Sequence, residues 1–312
     1  MTVAAALLVA AGLVGLLAPR RLGALAARDV DPLVSIAAWL ASAVGVVVAS
    51  ALAVALLLVP DHGTHALRRL DECWSSLEHG MTPDHEAVGG GLGLVLLAAL
   101  LTRLAVVSVR AARRRAHARR EHLAVLRVAA RREPGSPATL WLDHDVPLAF
   151  SFAGKPGVVV ATEGLNRHLT ADQVAAVLTH ERAHLTGRHH LLVAVSEAIA
   201  TMLPFLPLFR HAPAAVKALV ELAADGSAVR ACGVEAVRAA LVRVSEHGAP
   251  GGALAMGRDA VEVRLARLAR PRRDRAPLLN ALACAATCVA AVALPVVGAF
   301  AGLLTLVSLG CL

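Results

Sequence analysis

Two histidines, His180 and His184, stand four residues apart in the run His180-Glu181-Arg182-Ala183-His184. On a helix that spacing puts both imidazoles on one face, a turn apart, within reach of one metal ion. Glu181 is rotated to the flank, where its carboxylate reaches a water on the metal without becoming a ligand. This is the H-E-x-x-H arrangement, with the glutamate as general base for hydrolysis at Zn2+. Catalytic zinc takes three protein ligands and leaves a position for water. Glu221, in the run Glu221-Leu222-Ala223-Ala224-Asp225, completes a two-histidine, one-glutamate set. Asp225, four residues further along the same helix, is placed to accept the other ring N–H of a ligating histidine and fix its tautomer.

These side chains need a rigid frame. Thr170-Ala171-Asp172-Gln173 fits a capping box. It opens a helix that runs through Val174, Val177 and Leu178 into His180. Upstream, Leu140–Phe152 and Gly157–Thr162 read as two strands joined by the turn-forming run Gly154-Lys155-Pro156-Gly157. Val158–Ala161 is a candidate edge strand for a substrate backbone. His189 and His190 follow Gly187 and read as interfacial polar residues rather than ligands.

The rest of the chain is built for lipid. Of its 312 residues 57% are hydrophobic, too many for an ordinary soluble domain, and the mean hydropathy is +0.64. The formal charge of +8 comes from arginines that cluster beside apolar runs. Membrane topology accounts for such clusters, and no direct nucleic-acid binding is expected. The five cysteines are scattered and form no CxxC pair, which argues against a disulfide framework or a cysteine zinc site.

Residues 1–109 read as a membrane domain with helices at about 3–18, 33–59 and 88–109. Residues 110–277 read as an α+β domain and 278–312 as a last transmembrane helix. Arg20, Arg21 and Arg28 follow the first helix, and Arg110, Arg113, Arg114 and Arg115 follow the third. The loop between the second and third is mainly acidic. The positive-inside rule puts both termini outside an inner (plasma) membrane and the metal site in the cytoplasm. Leu191–Phe209 is apolar enough to span. A single crossing would put His184 and Glu221 about 30 Å apart across the bilayer. That segment must therefore be re-entrant, interfacial or buried, turning near Pro204 and Pro207.

Residues 148–230, from the strand pair through "LTHERAHLTGRHH" to "ELAADGSAVR", resemble the membrane gluzincins: the BlaR/MecR antibiotic-sensor peptidases and, more distantly, the HtpX/Ste24 peptidases. The resemblance implies a polytopic α-helical membrane protein with a cytoplasmic α+β zinc metallopeptidase domain. It implies a protein or peptide substrate, with a BlaI-type repressor or the chain itself as regulatory targets. Quality-control proteolysis of the HtpX kind is the alternative; a non-catalytic scaffold is a third, against which the presence of Glu181 counts. The chain stops at Leu312, after the last helix, so no penicillin-binding sensor domain is expected. Arg264, in "EVRLARLARP", resembles a family stretch that follows the third-ligand helix. With no tyrosine in the chain, Arg264, His247 or another histidine is the candidate oxyanion or substrate contact.

Overall fold

Long stretches of Ala, Leu and Val, good helix formers or readily buried, set the first three helices: α1 (Thr2–Ala26), α2 (Pro32–Leu58) and α3 (Pro83–Ala129). The computed structural model describes residues 2–26, 30–58, 83–154, 156–247 and 254–269, with positions 282, 285–286, 289–291 and 293–298. Most of the acidic loop and of the expected last span lie outside these residues. Ala4–Ala24, Pro32–Leu56 and Gly91–Leu126 are long and apolar enough to cross a membrane, making this a multi-pass membrane protein. Asp31 caps α2, accepting from the Leu33 N–H at 2.8 Å, and Pro32 takes the first helical position, where no N–H is needed.

Two boundaries differ from the expectation. α1 continues past Ala18 through Pro19, Arg20 and Arg21 to Ala26. α3 runs 47 residues without a break, so position 109/110 lies inside one helix. In α3 a change of polarity looks like an end, yet arginine and alanine favour helix; α1 continues although Pro19 removes one of its backbone hydrogen bonds.

α3 delivers the chain to a four-stranded sheet of β1 (Arg131–Glu133), β2 (Ala138–Leu142), β3 (Ala149–Phe152) and β4 (Val158–Thr162), in the order β1-β2-β4-β3. The β3–β4 hairpin is antiparallel, with Phe152 opposite Val158 across the expected turn. The single strand expected over Leu140–Phe152 is two strands. Asp143–Leu148 separates them, and Arg167 binds Asp143 and Asp145 there. β2 instead pairs in parallel with β4. β4 is thereby internal and fully buried, so Val158–Ala161 is not a free edge. The edge is β3.

Alternation along the strands sorts the two faces. Leu140, Val158 and Val160 pack on Leu123 of α3. Trp141 and Ala161 face the other way, into a core with Leu165, Val174 and Val237. Those residues come from α4 (Glu163–His168), α5 (Ala171–Thr186) and α8 (Val234–His247). Between α5 and α8 the chain makes a helical hairpin, α6 (His189–Ala200) and α7 (Pro207–Cys232), turning over 201–206. α9 (Leu254–Leu268) follows α8. The first half of α7 is enclosed against α1 and α2 in one apolar cluster that includes Leu7, Trp39, Val46, Phe209 and Val216.

Candidate metal centre

The expected capping box is present: the Thr170 side chain accepts from the Gln173 N–H and the Gln173 side chain accepts from the Thr170 N–H. It starts α5 in a register that turns His180 and His184 toward α7. There, Glu221 meets both. The Nε2 atoms of the two histidines are 3.1 Å apart. Glu221 Oε2 is 3.3 Å from His180 Nε2, and Oε1 is 3.4 Å from His184 Nε2. Three ligand atoms thus close on one point, and among the described residues they form the one cluster able to hold a metal ion. Zinc bonds of about 2.0–2.1 Å in a tetrahedral shell set ligand atoms roughly 3.3–3.4 Å apart. The two imidazole nitrogens fit that size, and the Glu221 carboxylate approaches each of them through a different oxygen.

Behind each histidine stands a different support. His180 Nδ1 lies 3.0 Å from Asp225 Oδ1, the geometry for a ring N–H donating to the carboxylate. Asp225 is in turn clamped side-on by Arg264, whose Nε and Nη2 donate to its two oxygens at 2.7 and 2.6 Å. Arg264 Nη1 points toward Glu221 Oε2 at 3.5 Å. His184 has no carboxylate on its Nδ1. It faces His189 Nδ1 at 3.0 Å, and His189 is 5% exposed.

His189 was not foreseen as part of the site. Its place depends on two backbone features. Arg188 adopts a left-handed conformation (φ 49°) that turns the chain sharply from α5 into α6. At Gly187 a Cβ would come within 2.5 Å of His189 Nε2, so only glycine leaves room for the ring. The sequence signal for this arrangement was a glycine before a non-glycine turn residue, which is too common to single out.

Burial and charge act oppositely on these groups. Burial pulls the His180 imidazole down, but hydrogen bonds to Asp225 and Glu221 outweigh it and raise the pKa to about 9. His184 is driven down to about 4 by burial, helped by the neighbouring His180 and His189 against the pull of Glu221. Burial would raise Asp225, but Arg264 and His180 hold it at about 2. Glu181 is raised above the usual carboxylate range, chiefly by burial, although Ser151 hydrogen-bonds to it. Ser151 belongs to β3, so the free sheet edge and the candidate base adjoin. A cleft of about 330 Å³ opens beside them, lined by Ser151, His184, His189 and Glu221 and rimmed by Arg115 of α3.

Comparison with known proteins gives the same region. The sequence model for Peptidase family M48 matches residues 111–269, just over half of the chain, from within α3 to the end of α9. A "Protease HtpX homolog" from Thermodesulfovibrio yellowstonii is 32% identical over 84 residues. That stretch is 26% of this chain and 30% of the relative, so the likeness spans under a third of either. No solved structure matches.

Proposed function

The chain belongs to peptidase family M48, and from that membership and the His180–His184–Glu221 geometry we propose that it is a membrane-bound zinc endopeptidase. The observation that carries this reading is the convergence of the two Nε2 atoms of His180 and His184 with the Glu221 carboxylate, beside the half-buried carboxyl of Glu181. His180, His184 and Glu221 hold the ion, which when bound supplies a Lewis acid and an acidified water. Glu181 takes a proton from the attacking water and returns it to the leaving amine, a task suited to a carboxylate raised toward neutrality. Asp225 holds His180 in the tautomer that leaves Nε2 free for metal, and His189 does the same for His184. Arg264, expected as an oxyanion or substrate contact, is engaged by Asp225 through two nitrogens and acts here as the brace of that carboxylate.

Substrate backbone enters along β3, the edge that carries Ser151 into the cleft. Arginines at 110, 113, 114 and 115, on α3 beyond its apolar run at 91–109, favour a cytoplasmic site in a plasma membrane. The likeness to an HtpX homolog favours broad cleavage of protein segments near the membrane. Cleavage of one regulatory target, a BlaI-type repressor or the chain itself, is the second reading, supported by the layout of three spans ahead of the metal site. A screen of candidate substrates separates the two: many cut proteins against one.

The central test is Glu181→Gln in detergent-purified protein acting on an unfolded protein such as casein. The parent should cut it, lose activity to a zinc chelator and recover it with added zinc. The variant should bind zinc stoichiometrically yet cut about 10²–10⁴-fold more slowly. Chelator-resistant cutting, or full activity without Glu181, would sink the proposal.

A further inference from the structure

The α6–α7 hairpin meets the membrane helices at its tip. Gly15, in the middle of the Ala4–Ala24 span, is buried, and a Cβ there would lie 3.0 Å from Leu206 Cδ1. Met202, Leu208 and Phe209, around the same turn, are enclosed in the apolar cluster of α1 and α2. Phe205, at the apex, is 75% exposed. From these contacts we propose that the hairpin is a lipid-facing wedge that enters only the leaflet on the metal-site side, with Phe205 among the acyl chains.

Depth follows from helix rise. The metal-site end of α1 is marked by Arg20 and Arg21, and Arg267 of α9 donates to the Val30 carbonyl between α1 and α2 at 2.8 Å. Gly15 is five residues below Arg20, about 7–8 Å at 1.5 Å per residue. Leu206 therefore sits roughly that far inside the hydrocarbon boundary. Arg210 and His211, both exposed, are about one turn higher on α7, back at headgroup level, where a long cationic side chain is at home. A double crossing does not fit. α6 has 12 residues, about 18 Å, and starts at His189 beside the metal site, whereas a crossing takes roughly 20 residues.

Part of the turn's backbone is paired within the turn itself. The N–H groups of Thr201, Met202 and Leu206 donate to carbonyls at 3.1, 3.0 and 3.0 Å. Pro204 and Pro207 have no N–H to satisfy. The Thr201 hydroxyl folds back onto the Ala198 carbonyl at 2.7 Å. In lipid each unmet backbone group costs several kcal/mol, about 2–7 by transfer scales, so these pairings lower the cost of placing the turn there.

The wedge also sets a height. Glu221 is fifteen residues above Leu206 on one helical run, about 22 Å, which puts the metal site roughly 15 Å outside the hydrocarbon boundary. The wedge does not depend on the peptidase reading: it stands or falls on depth alone.

Spin labels at single cysteines test it in full-length protein, in a background with the five native cysteines replaced by alanine. The protein is placed in vesicles of phosphatidylethanolamine and phosphatidylglycerol. A label from Phe205→Cys should be accessible to oxygen and shielded from a water-soluble nickel chelate, at a depth about 7–8 Å inside the near leaflet. A label from His211→Cys should read at headgroup level. Zinc binding by each labelled protein confirms that it is folded. If either fails to fold, carbene-generating acyl chains can label the unaltered protein, and adducts should map to 202–206. A Phe205 label open to the nickel chelate, a depth in the far leaflet, or no adducts at the turn overturns the wedge.

Discussion

The first half of α7 lies on α1 and α2 with Leu208, Phe209 and Val216 wholly enclosed, while the second half turns Glu221 and Asp225 toward His180, His184 and Arg264. One helix therefore carries two kinds of constraint. Apolar contacts in the first half are many, weak and non-directional; they hold the helix at a place and depth but tolerate small shifts. Hydrogen bonds in the second half are few and directional, and they hold atoms to tenths of an ångström. Damage to one half should therefore read out in stability, and damage to the other in metal affinity.

The largest expected effect is in the polar half. Glu221→Gln removes an anionic oxygen from the three-atom set and should weaken zinc binding by more than about 100-fold. Asp225→Asn leaves that set intact but weakens the acceptor behind His180, a change of the kind that costs about 10–100-fold. Zinc titration of detergent-purified variants measures the grading. Parent-like binding by both would place the third ligand elsewhere, with His189 and His190 next to be examined.

In the apolar half, Phe209→Ala should do the reverse. Its surroundings lie near lipid, which solvates an exposed phenyl ring as well as the protein does, so the transfer part of the loss is small. The cavity remains and should cost about 2–3 kcal/mol, below the roughly 3–5 typical of an aqueous core. Zinc affinity of the folded fraction should match the parent. A large affinity loss at Phe209 would erase the distinction between the halves.

A third expectation concerns pH in the zinc-free protein. His180 has a folded pKa of about 9 against 6.5 unfolded, so its charged form stabilises the fold. That contribution is complete below about 6.5 and lost as pH rises through about 9. His184 is lowered to about 4, so stability also falls as pH drops below 6.5. Unfolding in chelator should thus show an optimum near pH 6.5, with a decline of about 1–3 kcal/mol toward pH 9. Zinc affinity should rise over that same alkaline range, because the ion must displace the His180 proton. A flat profile would mean that Asp225 and Glu221 do not hold that proton.

How much of this was legible beforehand follows the same division. The meeting of His180, His184 and Glu221 could be read because helical spacing alone brings His180 and His184 together, and the structure brings Glu221 to them. The capping box at Thr170 was legible for the same reason: it is local. The β2–β4 pairing was not, since a parallel partner is chosen by packing on α3 and α5 and leaves no mark in a five-residue strand. Nor was the continuity of α3, where a switch from lipid to water hides an unbroken backbone. The Leu191–Phe209 segment fell between. Topology required a return to the same side, but the contact of Leu206 with Gly15 depends on a helix nearly two hundred residues away.

The smallest expected effect separates the two histidines. His180 leans on a charged carboxylate that Arg264 holds in place; His184 leans on a neutral imidazole. Hydrogen bonds to charged acceptors are roughly twice as strong as neutral ones. Removing the support of His184 should therefore cost less than removing that of His180. His189→Leu keeps much of the buried volume and deletes the acceptor, so zinc affinity should fall about tenfold, the low end for such supports. His189→Asn, which can present an oxygen to the same N–H, should recover most of it. Cobalt substituted for zinc adds a readout that packing does not move: its visible absorption should shift in the leucine variant and return in the asparagine variant. If leucine binds zinc like the parent and leaves the cobalt spectrum unchanged, the His189 ring serves as filling under Gly187. The tautomer of His184 must then be set by Glu221 and the metal alone.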